Sequence, residues 1–191
     1  RFKLNQGIAS GLHIYDSDLE SWNVPIVKKC LEKQDFVLME WAKRDRGLIY
    51  KPKEKSEKKS INEFLGQRLV TRQIGSGSDN YFKYICKREN INSSDFISTE
   101  VTYSENDAVS LILSDKADVT LGLASEAKKH QLGFLHIVTE RFDIVVNRIS
   151  WFEKPFQRIL NFSRSDDFLN TASNFFCYNI SDLGTVHFNN K

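Results

Sequence analysis

Between Arg68 and Val138 the chain alternates short apolar runs with amphipathic stretches, and this alternation constrains the fold more than any other feature of the sequence. The apolar runs Arg68–Arg72, Ser98–Tyr103, Ala117–Gly122 and Phe134–Val138 each have strand length. The intervening stretches carry apolar residues at helical spacing. Tyr81, Tyr84 and Ile85 share a face in a segment that opens at Gly75–Ser78 and runs to about Arg88. Val109, Ile112 and Leu113 point inward from Glu105–Ser114, and Ala124–His130 forms a further helix. Strand–helix–strand connections of this length predict an α/β fold with a parallel sheet covered by helices on both faces. Ligands in such folds bind outside the carboxyl ends of the strands.

The flanking sequence reads less regularly. Ile8–Ile14 is a strand that ends in Tyr15-Asp16-Ser17-Asp18, small acceptors that commonly cap a helix. A helix follows from Pro25 to about Glu32, with Val24, Val27 and Leu31 on one face. Phe36–Ala42 and Gly47–Tyr50 predict two strands joined by a charged turn at Arg44-Asp45-Arg46. Lys51–Lys59, with five Lys and two Glu, reads as a solvated connection. Ser60 and Glu63 have capping-box spacing for a short helix that Gly66 ends. Arg141–Asn147 is a strand, and Lys154–Phe176 forms helices broken around Ser163–Ser165. This predicts lobe one from residues 1–65 and 139–191, and an α/β lobe two from residues 66–138.

Composition narrows the function. At 40% hydrophobic and 27% charged residues the chain is no disordered segment, and its 191 residues suit one compact unit or two small lobes. A net charge of +2 leaves direct nucleic-acid binding a minor option. Cys30, Cys86 and Cys177 form neither an even framework nor a CxxC pair, so inert thiols in a reducing cytoplasm are expected. No apolar run has the length of a secretion signal or membrane anchor. His13, His130, His136 and His187 lack ligand spacing, and no nucleophile-and-base pair stands out. Neither a metal, nor a cofactor, nor an enzymatic mechanism is expected.

The most informative string is Arg72-Gln73-Ile74-Gly75-Ser76-Gly77-Ser78. A strand ends, glycines let the backbone turn tightly, and a helix begins, so amide N–H groups and hydroxyls converge at a positive helix end. The string reads equally as an anion seat or as a helix cap. It lacks the Lys of a phosphate-binding loop and the third Gly of a dinucleotide fingerprint. Glu140-Arg141-Phe142-Asp143, where lobe two returns the chain to lobe one, lines a cleft or forms structural ion pairs. Asp16, Asp18 and Glu20 read as helix caps before they read as cation ligands.

Several strings, taken in order, make the chain similar to the periplasmic-binding-protein-like domain of cytoplasmic bacterial proteins. In those proteins it follows a DNA-binding helix-turn-helix or is attached to molybdopterin-biosynthesis proteins. The strings are Ser10-Gly11-Leu12-His13 with Asp16, Trp22-Asn23-Val24-Pro25, Arg44-Asp45-Arg46-Gly47-Leu48, Arg72-Gln73 with Gly75-Ser76-Gly77-Ser78, Ala117–Gly122, and Glu140-Arg141-Phe142-Asp143. The resemblance implies a two-lobed type II fold closing on a small anionic ligand, an oxyanion such as molybdate or tungstate or a molybdopterin-related molecule. It implies a sensing effector domain of a transcription regulator, not an enzyme, with DNA reached only through a helix-turn-helix absent from this chain. Gly75, Ser76, Gly77 and Ser78 would face the ligand, Arg72 and Gln73 would border it, Asp16 and Asn23 would approach from the other lobe, and Glu140 would lie near the crossing.

Phe142 stands where the family usually has Tyr, and Tyr103-Ser104-Glu105 replaces a stretch that often carries His after Thr. The family's first β-α-β portion would precede Arg1, so lobe one is expected to be incomplete at its N-terminal edge. A homodimer is compatible with that reading. The alternative is a dimerisation or partner-docking module that has lost its ligand.

Overall fold

The computed structural model describes residues 2–4, 6–52, 58–175 and 177–189. Most of the expected solvated connection, residues 53–57, lies outside the described residues. In chain order the strands and helices are β1 (Ala9–Leu12), β2 (Tyr15–Asp16), β3 (Ser21–Trp22), α1 (Val24–Cys30), β4 (Phe36–Tyr50), β5 (Arg68–Arg72), α2 (Gly77–Arg88), β6 (Ile97–Thr102) and α3 (Glu105–Leu113). They continue with β7 (Val119–Leu123), α4 (Ala124–Lys129), β8 (Gly133–Asn147), α5 (Arg148–Phe152), α6 (Lys154–Ser163), α7 (Asp166–Ser173), β9 (Tyr178–Asn179) and β10 (Val186–Asn189). Two compact units result. Unit 1 comprises Arg1–Arg44 and Glu140–Lys191, and unit 2 comprises Asp45–Thr139. Residues 45–65, assigned from sequence to lobe one, fall in unit 2 because β4 runs on into it and Tyr50 packs edge-on against Phe64 at 5.1 Å.

Unit 2 contains the predicted α/β alternation. β5 pairs in parallel with both β6 and β7, whereas β4 pairs antiparallel with β7. The expected parallel pairing holds for β5, β6 and β7, and β4, which the sequence reading left outside that sheet, joins it running against β7. The core is Ile49, Val70, Ala108, Val109, Ile112, Ala117 and Ala127. Each fully buried Ile or Val there contributes roughly 1.5–3 kcal/mol relative to exposure. Leu113, expected inward, is 41% exposed, and Ala108 takes the inward position one turn before Ile112. Ser60 and Glu63 form the predicted capping box, and Gly66 leaves the turn at a φ of +75°.

Unit 1 places β1 antiparallel to β8, and β9 and β10 antiparallel to β4. Its core has two clusters. Val27, Leu31, Phe36, Leu38 and Val145 form one, and Met39, Val146, Phe156 and Leu160 form the other. The strands β2, β3, β9 and β10 and the five-residue helix α5 are too short for periodicity to show, and the sequence reading missed them.

Two expected breaks are absent. β4 and β8 each run unbroken for 15 residues where pairs of shorter strands were predicted. The charged residues at these places do not turn the chain because each finds a partner inside the fold. Arg44 meets the Glu140 carboxylate in unit 1, and Arg46 meets Glu105 in unit 2. Buried charges paired this way are tolerated in a strand. The cysteines also depart from expectation: Cys86 is buried, with its thiol pushed up by desolvation, but Cys30 and Cys177 are exposed.

Candidate anion site

The carboxyl end of β5 and the start of α2 hold the residues singled out from sequence in unit 2. Ser76 is the N-cap of α2, its hydroxyl accepting from the Asp79 amide at 3.2 Å. The Gly75 amide donates to Asp79 Oδ2 at 2.9 Å, and the Ser76 amide donates to the Gln73 carbonyl at 3.1 Å. Half of the expected anion seat is thus consumed by the turn itself. The Gly77 and Ser78 amides have no acceptor among the described residues, as the first turn of a helix requires. Gly75 adopts a φ of +82°, the conformation that makes glycine the fitting residue at that bend.

Around this helix start lies a charged group that spacing alone did not reveal. Arg46, from β4, is 1% exposed and donates to Ser78 Oγ at 2.9 Å and to Glu105 Oε1 at 3.1 Å. Arg72, at the end of β5, donates to the Thr102 carbonyl at 3.3 Å and to the Tyr103 carbonyl at 2.9 Å. Its Nη1 lies 3.2 Å from Glu105 Oε1, an ion-pair contact, yet makes no hydrogen bond. Gln73 Oε1 and Glu105 Oε2 are also buried without a hydrogen-bond partner. Two guanidiniums therefore converge on one oxygen of a single carboxylate, and one guanidinium nitrogen remains unbonded. Arg72, Ser78 and Asp79 line a small concavity together with Leu69, Phe82 and Leu121. Lys83 Nζ holds Asp79 Oδ2 at 2.8 Å, which offsets the one negative charge facing that space. The arrangement favours an anion: a helix start, two amides without acceptors and a cation with a spare donor.

In unit 1 the three expected site residues, Asn23, Asp16 and Glu140, each make polar contacts within the unit. Asn23 is fully buried with a φ of 59°. Its Oδ1 accepts from the Ile14 amide at 2.7 Å, and its Nδ2 donates to the Arg141 carbonyl at 3.0 Å and to Asp143 Oδ2 at 2.9 Å. Both amide donors are thereby used. Asp16 Oδ1 accepts from the Asp18 and Leu19 amides at 3.0 Å each. It closes the β2–β3 turn and caps no helix. Glu140, 0% exposed, is held by Arg44 and by His13 Nδ1 at 3.2 Å. Arg44 in turn lies over the Phe142 ring at 4.3 Å. Gly11 is needed beside that ring, since a Cβ there would meet Phe142 Cζ at 2.4 Å.

Unit 1 also gathers Glu40, Asp143 and His187, with one ligand atom of each within 4.8 Å of the others. Sequence spacing missed them because they come from β4, β8 and β10. Both oxygens of Asp143 already accept from Arg141 at 2.9 to 3.0 Å, and Oδ2 accepts from Asn23 as well. Glu40 Oε2 pairs with His187 Nε2 at 2.8 Å. Two carboxylates facing a guanidinium and an imidazole are satisfied as they stand, so the donor set fits internal pairing better than a divalent ion.

Burial pushes the Asp143 carboxyl above its ordinary value of 3.8, against the pull of Arg141 and Asn23. The folded state then holds that proton more tightly than the unfolded chain. Its contribution to stability is present at low pH and declines as pH rises through the window from about 4 upward. Asp182 and Glu63 run the other way. Lys43 lowers the first, and the Lys59 amide together with Lys58 lowers the second, so stability from both is lost as pH falls. Asp143→Asn is expected to flatten the decline on the rising side while leaving the acid limb in place. Thermal midpoints across pH for both proteins check this, and parallel curves would refute it.

The family model of the PBP superfamily domain matches residues 1–164. The chain belongs to the PBP-like family. Its α/β architecture is the type II fold expected from the resemblance, and domains of this family bind ligands without performing catalysis. The protein YvgK of Bacillus subtilis (strain 168), described as uncharacterized, is 26% identical over 182 residues, which is 92% of this PBP-like chain. The chain spans 57% of that relative's length. Among solved structures, the CcmR regulatory domain of Synechocystis PCC6803 in complex with 2-PG superposes with a TM-score of 0.64 at 10% identity, covering 85% of this chain and 74% of that one. The effector-binding domain of QuiR in complex with shikimate gives a TM-score of 0.62 at 10% identity, covering 91% and 76%. At this identity the likeness is one of fold. Among the described residues no helix is long and apolar enough to cross a membrane.

Proposed function

We propose that this PBP-like domain senses a small anionic ligand at the start of α2, with Arg72 as the anchoring cation. The observation that carries the reading is the concavity at the start of α2, which is lined both by Arg72, whose Nη1 makes no hydrogen bond, and by Ser78, whose amide has no acceptor among the described residues. A buried donor without a partner costs free energy that a bound anion recovers. Relatives by fold hold small ligands in regulatory or effector-binding domains, 2-PG in CcmR and shikimate in QuiR, which supports a cytoplasmic effector role within a transcription regulator. The ligand class proposed is an oxyanion of the molybdate or tungstate kind, or a molybdopterin-related anion. DNA would be contacted by a helix-turn-helix outside this chain.

Titration calorimetry with molybdate, tungstate, sulfate, phosphate and small carboxylates tests the reading. Arg72→Ala is expected to weaken binding of the responding anion by roughly 10- to 150-fold, the loss of a charge-assisted hydrogen bond of about 1.5–3 kcal/mol. Ser76→Ala, which removes only a cap, should cost about 1 kcal/mol of stability with little change in affinity. Heat that is absent for every anion, or affinity unchanged in Arg72→Ala, overturns the proposal.

A second reading has its own support. The Gly75 and Ser76 amides are satisfied by their own turn, as a pure helix cap requires. A domain that docks a partner and binds no ligand would show this, and the calorimetric series separates the two.

A further inference from the structure

The helices that close unit 1 expose more apolar surface than solvent exposure explains. On α5, Ile149 and Phe152 are 76% and 68% exposed; on α6, Ile159 and Phe162 are 47% and 57%; on α7, Leu169 is 42%. Helix α6 shows why. Its buried stripe is Phe156, Leu160 and Ser163, and Ile159 and Phe162 form a second stripe beside it, about 60–120° further round the helix at 100° per residue. The apolar arc is thus wider than the unit's own core can cover. Side chains of this size offer roughly 500–600 Å² together, the upper end of the largest patch on a typical monomer and most of one side of a standard interface.

Charge says what kind of surface would cover it. Lys154, Arg158 and Arg164 lie along α6 and its end, all exposed and all without an ion pair among the described residues. Asp166 and Asp167 open α7, also exposed and unpaired. A partner of one sign would satisfy one group and leave the other desolvated beside it, at a cost. A second copy of the same chain turned about a two-fold axis brings the basic helix of each protomer to the acidic helix start of the other. Carboxylates at a helix N-terminus and cations facing them also suit the helix dipole.

We infer that the α5–α7 face is a self-complementary surface on which a second copy of this chain docks, Ile159 and Phe162 at its centre and Arg158 and Asp167 paired across it. The inference is independent of ligand binding at α2, since all of these residues lie in unit 1 and the anion site lies in unit 2.

Sedimentation equilibrium of the chain over a wide concentration range tests it. A reversible dimer is expected, and Phe162→Asp should weaken association at least about tenfold, as removal of a central apolar anchor does. Its far-UV dichroism should be unchanged, because Phe162 is 57% exposed and its edge-on contact with the Phe168 ring at 5.6 Å lies outside the buried stripe of α6. Arg158→Asp alone should also weaken the dimer, and Arg158→Asp with Asp167→Arg should restore it, which neither misfolding nor general stickiness would produce. A strict monomer at every concentration overturns the inference, whatever other polypeptide covers the face. So does a dimer that survives Phe162→Asp, or a double reversal that fails to recover association.

Discussion

Arg46→Ala is expected to lower unfolding free energy by about 3–5 kcal/mol, the cost of removing one partner from a buried ion pair and leaving the other without it. Arg46 is 1% exposed and donates to both Glu105 Oε1 and Ser78 Oγ. The loss would also fall on a carboxylate whose other oxygen already lacks a hydrogen bond. Arg46→Lys keeps the charge but not the fork that reaches both acceptors, so it should recover only part of the stability. Urea unfolding with an unchanged slope is the measurement. A loss below about 1 kcal/mol would mean that the pair is worth no more than a surface bridge.

Gly47→Ala is expected to be nearly as damaging, by about 3 kcal/mol, for a steric reason alone. A Cβ at this position of β4 would sit 2.0 Å from the Leu135 carbonyl oxygen and 2.8 Å from its carbon, both backbone atoms of β8. A flexible side chain could move aside; two strands of one sheet cannot separate without losing their ladder. Gly7→Ala is the control, because its nearest neighbour would be Ala9 O at 3.8 Å, ordinary van der Waals contact. That change should stay within about 0.5 kcal/mol. Equal effects at both positions would show that glycine entropy and not contact sets the cost.

The parts of the fold that were legible share one property: their signals are local. The capping box at Ser60 and Glu63, the N-cap at Ser76 and the helical spacing of Val109 and Ile112 each depend on residues within a turn or two. The long strands were misread because Arg44, Arg46 and Glu140 look like turn residues until their partners are known. Glu140 lies 96 residues from Arg44, and Asp143 lies 120 residues from Asn23. The candidate site divides in the same way. Arg72 and the Gly75–Ser78 turn could be picked out from the change of period, but Glu105, which holds both Arg46 and Arg72, gave no signal beyond an acidic residue in the first turn of a helix.

What the amino-acid order determined by itself is the β-α alternation of unit 2, the start of α2 and its family, because periodicity and capping act over a few residues. Tertiary structure alone decided which amides of the turn stay without an acceptor, which arginines share Glu105, and that Asn23 and Asp16 hold loops in place. Those outcomes depend on groups that folding brings together from distant strands, where burial turns an ordinary charge into one that must be paired.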